Sequence, residues 1–197
     1  KIAIVGAGGS VGKCVSDLLI ERGISLILID KDEKRLNMLK KEVSSSLKNK
    51  NIIISQNVSL IKKARIVVVV TSAIEDVIKS EYLKEGAIIY DITQPRNTSY
   101  QILKQRKDVT IIDGGIVSTS GINYGINIGL KENQAYACLV ETMICALENI
   151  KQDFVGYANP RIAKKMLGLM DRYSNYFKLD CFESFGIPLK EDLEFSN

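Results

Sequence analysis

Three glycines spaced three apart, Gly6, Gly9 and Gly12, stand in IAIVGAGGSVG at the start of the chain, and Gly8 adds a Gly-x-Gly pair. The first glycine permits a tight turn after a strand. The next lets bare backbone approach a diphosphate, and the last lets a following helix pack close to the strand. The N–H groups of that helix's first turn, around Ser10 and Val11, would point at the anion. Asp30 follows at the end of a second apolar run. A carboxylate there accepts hydrogen bonds from ribose hydroxyls and repels a 2′-phosphate, so the pattern predicts NAD(H) in preference to NADP(H). Lys31, Lys34 and Arg35 come directly after it, and any of them could hold a phosphate instead.

Later apolar runs end in residues of the same character. Thr71, Ser72 and Ala73 follow one, Asp91 to Pro95 the next, and Asp113, Gly114 and Gly115 a third. Small side chains at 71–73 leave room for a nicotinamide ring, and Asp91 joins the expected cofactor contacts. Ordinary turns favour these residue types too. A different chemistry is available at Cys138, in AYACLVETM, with Glu141 one helical turn on and Cys145 two turns on. A thiolate can attack a thioester and carry the acyl group. A free cysteine equally packs as a small hydrophobe.

The elements that must position these residues follow from periodicity. Ile2–Val5, Ser25–Ile29, Ile52–Ile54, Arg65–Val70, Ala87–Tyr90 and Val109–Ile112 read as six strands. They are rich in Ile and Val without polar alternation, the pattern of strands covered on both faces. Apolar residues at helical spacing lie between the early strands, Val11 to Leu19 with a stop at Gly23, then Leu36 to Leu47. Repeated strand–helix units of this kind predict an α/β, doubly wound (Rossmann) and mostly parallel sheet. Ser118–Gly129 reads as a long loop. Glu132–Glu148 reads as a helix apolar almost all round, hence buried. A last helix is expected to start at Asn159 and Pro160. Residues 1–150 are thus expected to form the dinucleotide domain, including the Cys138 helix, and 151–197 a helical extension. The texture changes near residue 116. The chain enters a strand directly from Lys1, so a substrate domain is expected to precede it in a longer protein.

Composition narrows the function. With 46% hydrophobic and 25% charged residues, the 197-residue chain is globular rather than disordered. Its net charge of +4 is scattered, with no basic run to suggest a nucleic-acid partner. No apolar stretch is long enough to span a membrane. Four widely spaced cysteines and no histidine argue against a disulfide framework or a zinc site and fit a cytoplasmic setting. The lack of histidine also removes Ser-His and Cys-His catalysis within the chain.

AYACLVETMICALEN, DFVGYANPRIAKKM and SFGIPL resemble the C-terminal part of long-chain acyl-[acyl-carrier-protein] reductases of the cyanobacterial type. GAGGSVG, DITQPRN and GGIV fall in the same order as the corresponding segments of that family. The resemblance implies reduction of an acyl thioester, free or carried by a protein, to a fatty aldehyde. It places the acyl-enzyme on Cys138 and a glutamate of that family at Glu141. Asp30 departs from it, because those enzymes are associated with NADPH and tend to carry a basic residue there. The glycine-loop part also resembles the nucleotide-binding half of shikimate dehydrogenases and glutamyl-tRNA reductases, whose catalytic residues lie outside that half. The expected activity is therefore an NAD(P)H-dependent thioester reductase, with backbone N–H groups near Gly114 and Gly115 offered to the oxyanion. The alternatives are a shikimate- or amino-acid-type dehydrogenase with no covalent intermediate, and a cofactor-sensing module without catalysis.

Overall fold

The computed structural model describes residues 1–44, 51–73, 77–154, 156, 158–180 and 182–189. Two compact units divide it, Lys1–Gly114 with Asp153–Ala163, and Gly115–Gln152 with Lys164–Asn197.

In the first unit, six short strands form one parallel sheet: β1 (Ile2–Val5), β2 (Leu26–Ile29), β3 (Ile52–Ser55), β4 (Ile66–Val69), β5 (Ile88–Asp91) and β6 (Thr110–Asp113). Their order is β3-β2-β1-β4-β5-β6. The order reverses beside β1, so a crevice opens there at the carboxyl ends of β1 and β4. Register pairs Val5 with Ile29 on one side and with Val69 on the other. Gly6, Asp30 and Val70 therefore leave the sheet at one level. All four residues of β2 are buried, as expected of a strand covered on both faces.

Helix α1 (Ser10–Glu21) starts straight from the glycine turn. It ends in a Schellman motif: Gly23, at φ +71°, donates to the Ile20 carbonyl, and Ile24 donates to the Leu19 carbonyl. Helix α2 (Glu33–Ser44) is capped by Asp32, whose Oδ1 accepts from the N–H groups of Lys34 and Arg35. Leu36 and Leu39 of α2 join Ile4, Ala7, Leu26 and Leu28 in one buried cluster. The expected Leu47 lies outside the described residues. The connections into β4 and β5 carry short 3₁₀ turns at Val58–Lys63 and Ser80–Tyr82, and α3 (Tyr100–Gln105) precedes β6.

The second unit is not simply helical. Strands β7 (Ile116–Thr119), β8 (Gln134–Tyr136) and β9 (Phe177–Lys178) form an antiparallel sheet in the order β8-β7-β9. Ser118 and Thr119 thus belong to a strand, and the expected loop begins after them. The long helix expected over Glu132–Glu148 is only α4 (Ala137–Leu147). Asn133 at φ +63° interrupts it, and the next three residues pair with β7. Helix α5 (Pro160–Arg172) opens as expected, with Asn159 Oδ1 accepting the Arg161 N–H at 2.8 Å. A hairpin of β10 (Glu183–Ser184) and β11 (Ile187–Pro188) follows. Val140 and Ile144 of α4 pack with Val117, Ala135, Leu169 and Phe177. The division at Gly114 thus differs from the expected boundary at residue 150, because the Cys138 helix finds its core in the second unit.

Helix α1 lies tight against the β1 turn at Gly12. A methyl group there would collide with the Gly6 carbonyl oxygen and sit 2.9 Å from the Ala7 Cα, both backbone atoms that cannot swing away. Gly12→Ala should destabilise by about 3 kcal/mol, at the upper end for overpacking. That corresponds to a drop of roughly 6–12 °C in Tm for a chain of this size. Gly23→Ala meets no atom within 4 Å. It should cost only the left-handed backbone penalty of about 1 kcal/mol. Thermal unfolding of the two variants should rank them in that order.

Candidate functional site

The crevice beside β1 is a cleft of about 660 Å³. Gly6, Gly8, Gly9, Ser10 and Val11 line it from the glycine turn, Asp30, Lys31 and Arg35 from the β2 end, and Thr71, Ser72 and Ala73 from the β4 end. Ten of the expected site residues are thereby brought together. Gly12 does not line the cleft, and its part is the close helix packing already described.

The turn is shaped to show backbone to the cleft. Gly6, at φ +91°, has its missing side-chain position 2.7 Å from the Val70 carbonyl oxygen, so only glycine lets the β1 and β4 turns touch. Gly8 lies under α2, where a Cβ would stand 2.5 Å from the Arg35 Cβ. Gly9 is the N-cap of α1 and supplies no side-chain acceptor. The first-turn N–H groups of α1 therefore have no capping oxygen and are open to an anion. Ser10 Oγ donates to the Gly156 carbonyl and accepts from the Ala158 N–H, both at 2.7 Å.

Asp30 is buried, with 6% exposure. Its Oδ2 accepts the Gly8 N–H at 2.9 Å and its Oδ1 the Asp32 N–H at 3.0 Å. A carboxylate offers about four acceptor sites, so roughly two remain for a ligand's hydroxyls. Arg35, beside it, is exposed and lies 3.5 Å from Asp32.

Asp91 is placed differently from expectation. Register pairs it with Val69 and with Asp113, so it sits inside the ladder rather than past its end. It is 2% exposed and does not line the cleft. Its Oδ1 accepts from the Thr93 N–H and hydroxyl, and its Oδ2 from the Asn97 N–H and the Thr98 hydroxyl. Those four bonds fill the carboxylate, which therefore organises the 91–98 turn instead of meeting a ligand. Arg96 clamps that turn to buried Asp113 through two bonds of 2.8 Å. The Gly114 N–H donates to the Asp91 carbonyl at 2.7 Å, so it is not free for an oxyanion.

Sequence reasoning missed Gln56, Val58, Val77 and Gly156 in the cleft lining. Gln56 stands one residue past the end of β3, so the same strand-end logic would have found it. Its amide donates to the Lys31 carbonyl at 3.0 Å.

In the second unit, Cys138 is exposed, not buried. It is the second residue of α4, and Tyr136 at the N-cap supplies no side-chain acceptor. Glu141 and Cys145 are both half-buried. Burial pushes the Cys145 thiol up, and the charge of Glu141 adds to that. Cys14, 5% exposed within α1, is also pushed up by burial, with Asp17 adding to it. Cys181 lies outside the described residues.

Residues 1–113, more than half of the chain, match the model of the shikimate/quinate 5-dehydrogenase family. The chain belongs to that family. The match covers β1 to β6, with the glycine turn and the Asp30 end of β2. One relative is aminotransferase PigE of Serratia sp. (strain ATCC 39006), 31% identical over 158 residues, which are 78% of this chain and 18% of that protein. The chain thus spans less than a fifth of that relative. Among solved structures, Thermococcus litoralis Δ1-pyrroline-2-carboxylate reductase, in complex with NADH and L-proline, is 26% identical, with a TM-score of 0.38, covering 47% of this chain and 29% of that one. An imine reductase variant from Myxococcus stipitatus, in complex with NAD+, is 12% identical, with a TM-score of 0.42, covering 89% and 60%. Among the described residues, no helix is long and apolar enough to cross a membrane.

The three described thiols should separate by alkylation. In the native protein at neutral pH, peptide mapping should show Cys138 modified first. Cys145 should lag and gain rate as pH climbs through its raised range. Cys14 should react only on unfolding. Early labelling of Cys14 would mean that α1 does not stay packed on the sheet.

Proposed function

We propose that the first unit holds a nicotinamide dinucleotide and that the chain is the nucleotide-binding part of an NAD(P)(H)-dependent oxidoreductase. The observation that carries this reading is the uncapped opening of α1 over three glycines, beside a carboxylate at the end of β2, in a member of a dehydrogenase family. The residues fit the ligand. First-turn N–H groups of α1 would take the pyrophosphate, and Asp30 has acceptor capacity for the adenosine ribose. Thr71–Ala73, across β1 from Asp30, would face the nicotinamide.

Asp30 favours NAD(H). A carboxylate forced beside a 2′-phosphate costs on the order of 1–3 kcal/mol, about 5- to 150-fold in affinity. Calorimetry should find NADH bound more tightly than NADPH, and Asp30→Ala should narrow the gap. Tighter NADPH binding to the unmutated protein would assign the choice to Lys31, Lys34 or Arg35.

For the reaction we propose reduction of an acyl thioester to an aldehyde through Cys138. The Cys138 sulfur attacks the thioester carbonyl, a carbon–sulfur bond forms, and the carrier thiol leaves. A reduced nicotinamide dinucleotide would supply hydride for the acyl carbon; the carbon–sulfur bond would then break to give the aldehyde, and the Cys138 thiolate would take up one proton. Three things support the assignment: the resemblance of the α4 segment to acyl-[acyl-carrier-protein] reductases, the exposure of Cys138, and the first turn of α4, where no side chain caps the helix and the Cys138 and Leu139 N–H groups would suit a developing oxyanion, the Ala137 N–H being taken by the Gly115 carbonyl at 2.8 Å. The relative named as an aminotransferase is in keeping with a carbonyl product, since amino transfer consumes a carbonyl compound. Glu141, one turn from Cys138, would orient the substrate or a proton.

The family match over residues 1–113 favours a second reading, a hydroxy- or amino-acid dehydrogenase with no covalent intermediate. Mass spectrometry separates the two. After incubation with a long-chain acyl thioester and no cofactor, one acyl adduct should appear on the Cys138 peptide. It should vanish in Cys138→Ser, with NADH affinity unchanged within a few fold, and persist in Cys145→Ser. An adduct on another cysteine, or none, would return Cys138 to a surface role and leave the dehydrogenase.

A further inference from the structure

The turn after β4 is held at both ends of one residue. The Ala73 N–H donates to Thr71 Oγ1 at 3.2 Å, and the Ala73 carbonyl accepts from the Asn97 side-chain amide at 2.9 Å. Asn97 comes from the neighbouring β5 turn, and its own backbone N–H is fixed on Asp91 Oδ2 at 3.0 Å and Thr93 Oγ1 at 2.9 Å. A chain of hydrogen bonds thus runs from the saturated Asp91 carboxylate, through Asn97, to the wall of the cleft.

Stability alone does not explain an asparagine at this position. Asn97 is 1% exposed, and its Oδ1 is buried with no hydrogen-bond partner. A bare buried acceptor costs about as much as a single hydrogen bond contributes, or more. The Nδ2 bonds, to the Ala73 carbonyl at 2.9 Å and a long one to the Pro95 carbonyl at 3.4 Å, are therefore largely offset by the stranded oxygen beside them. What the side chain does provide is geometric. It draws the Ala73 carbonyl toward the β5 turn and fixes the backbone of Thr71, Ser72 and Ala73, all three of which line the cleft. Asp30, which the dinucleotide reading sets at the adenosine end, lies on the other side of β1, and its hydrogen bonds go to Gly8 and Asp32 rather than to this tether.

We infer that Asn97 is a positioning residue that sets the Thr71–Ala73 turn for the nicotinamide end of the dinucleotide, acting through its amide bond to the Ala73 carbonyl. This rests on the dinucleotide reading above. It predicts a separation that a packing role would not give. A residue that merely supported the fold would weaken every ligand of the cleft alike, whereas this tether concerns one end of the ligand.

The test compares NADH with ADP-ribose, which lacks the nicotinamide ring, by calorimetry on this chain. Asn97→Leu keeps the size and removes the donor, and Asn97→Ser is a smaller second variant. Both should bind ADP-ribose within about twofold of the unmutated protein and bind NADH about 5- to 10-fold more weakly, with Tm within a few degrees. Equal weakening of both ligands, or of neither, would overturn the inference, as would unfolding of both variants. If the unmutated protein binds neither ligand, the dinucleotide reading itself fails, and this inference falls with it.

Discussion

The approach of α1 to the β1 turn is the constraint on which the cleft depends. With no Cβ at Gly12, the helix sits against the Gly6 carbonyl, and its axis therefore starts at the mouth of the sheet. That placement leaves the first-turn N–H groups facing the crevice with no side chain to cap them. The open helix start and the close packing are one geometric fact here. A capping serine or aspartate at position 9 would relieve the helix end and occupy the space a phosphate needs. The glycine at position 8 extends the arrangement sideways, because it lets α2 approach until Arg35 and Asp30 meet the same turn.

Two buried carboxylates divide the remaining work. Asp30 and Asp91 both stand at the carboxyl end of a strand of the same sheet, and both are nearly inaccessible. Two backbone N–H groups hold Asp30 and leave it spare acceptor sites, whereas four donors close around Asp91. Acceptor capacity therefore decides which of them can meet a ligand. The difference comes from register. Asp30 is the residue after β2, while Asp91 is still paired within β5.

Much of this was legible in the sequence. The six strands are runs of Ile and Val with no competing period, and burial on both faces leaves such runs little other choice. The glycine spacing and the Asn159–Pro160 start of α5 depend on local backbone chemistry and were readable for that reason. What was not legible depends on long-range pairing. Gln134–Tyr136 is a strand only because β7 lies beside it, and Asn133 at φ +63° carries no distinctive signal. Asp91 read as a ligand contact because strand ends favour aspartate, and a one-residue difference in register is invisible in composition. Asn97 stood within the DITQPRN segment but outside the residues singled out there, since a side-chain bond to another loop leaves no trace in spacing.

Cys138 is the instructive case. An apolar helix predicts burial on all sides, and burial would raise a thiol's pKa and silence it. In α4, only Val140 and Ile144 are buried, and the sulfur of the second helical residue is open to solvent. Leu139 and Met143 pack partly on the same core, and Leu147 is the one large apolar side chain of α4 left exposed. The same α4 holds a more buried cysteine, Cys145, whose thiol pKa is raised by burial and by the charge of Glu141. The two cysteines of one helix are thus separated by environment rather than by type. The first-turn position leaves the Cys138 sulfur open to solvent, whereas Cys145, two turns on along the same helix, is half-buried.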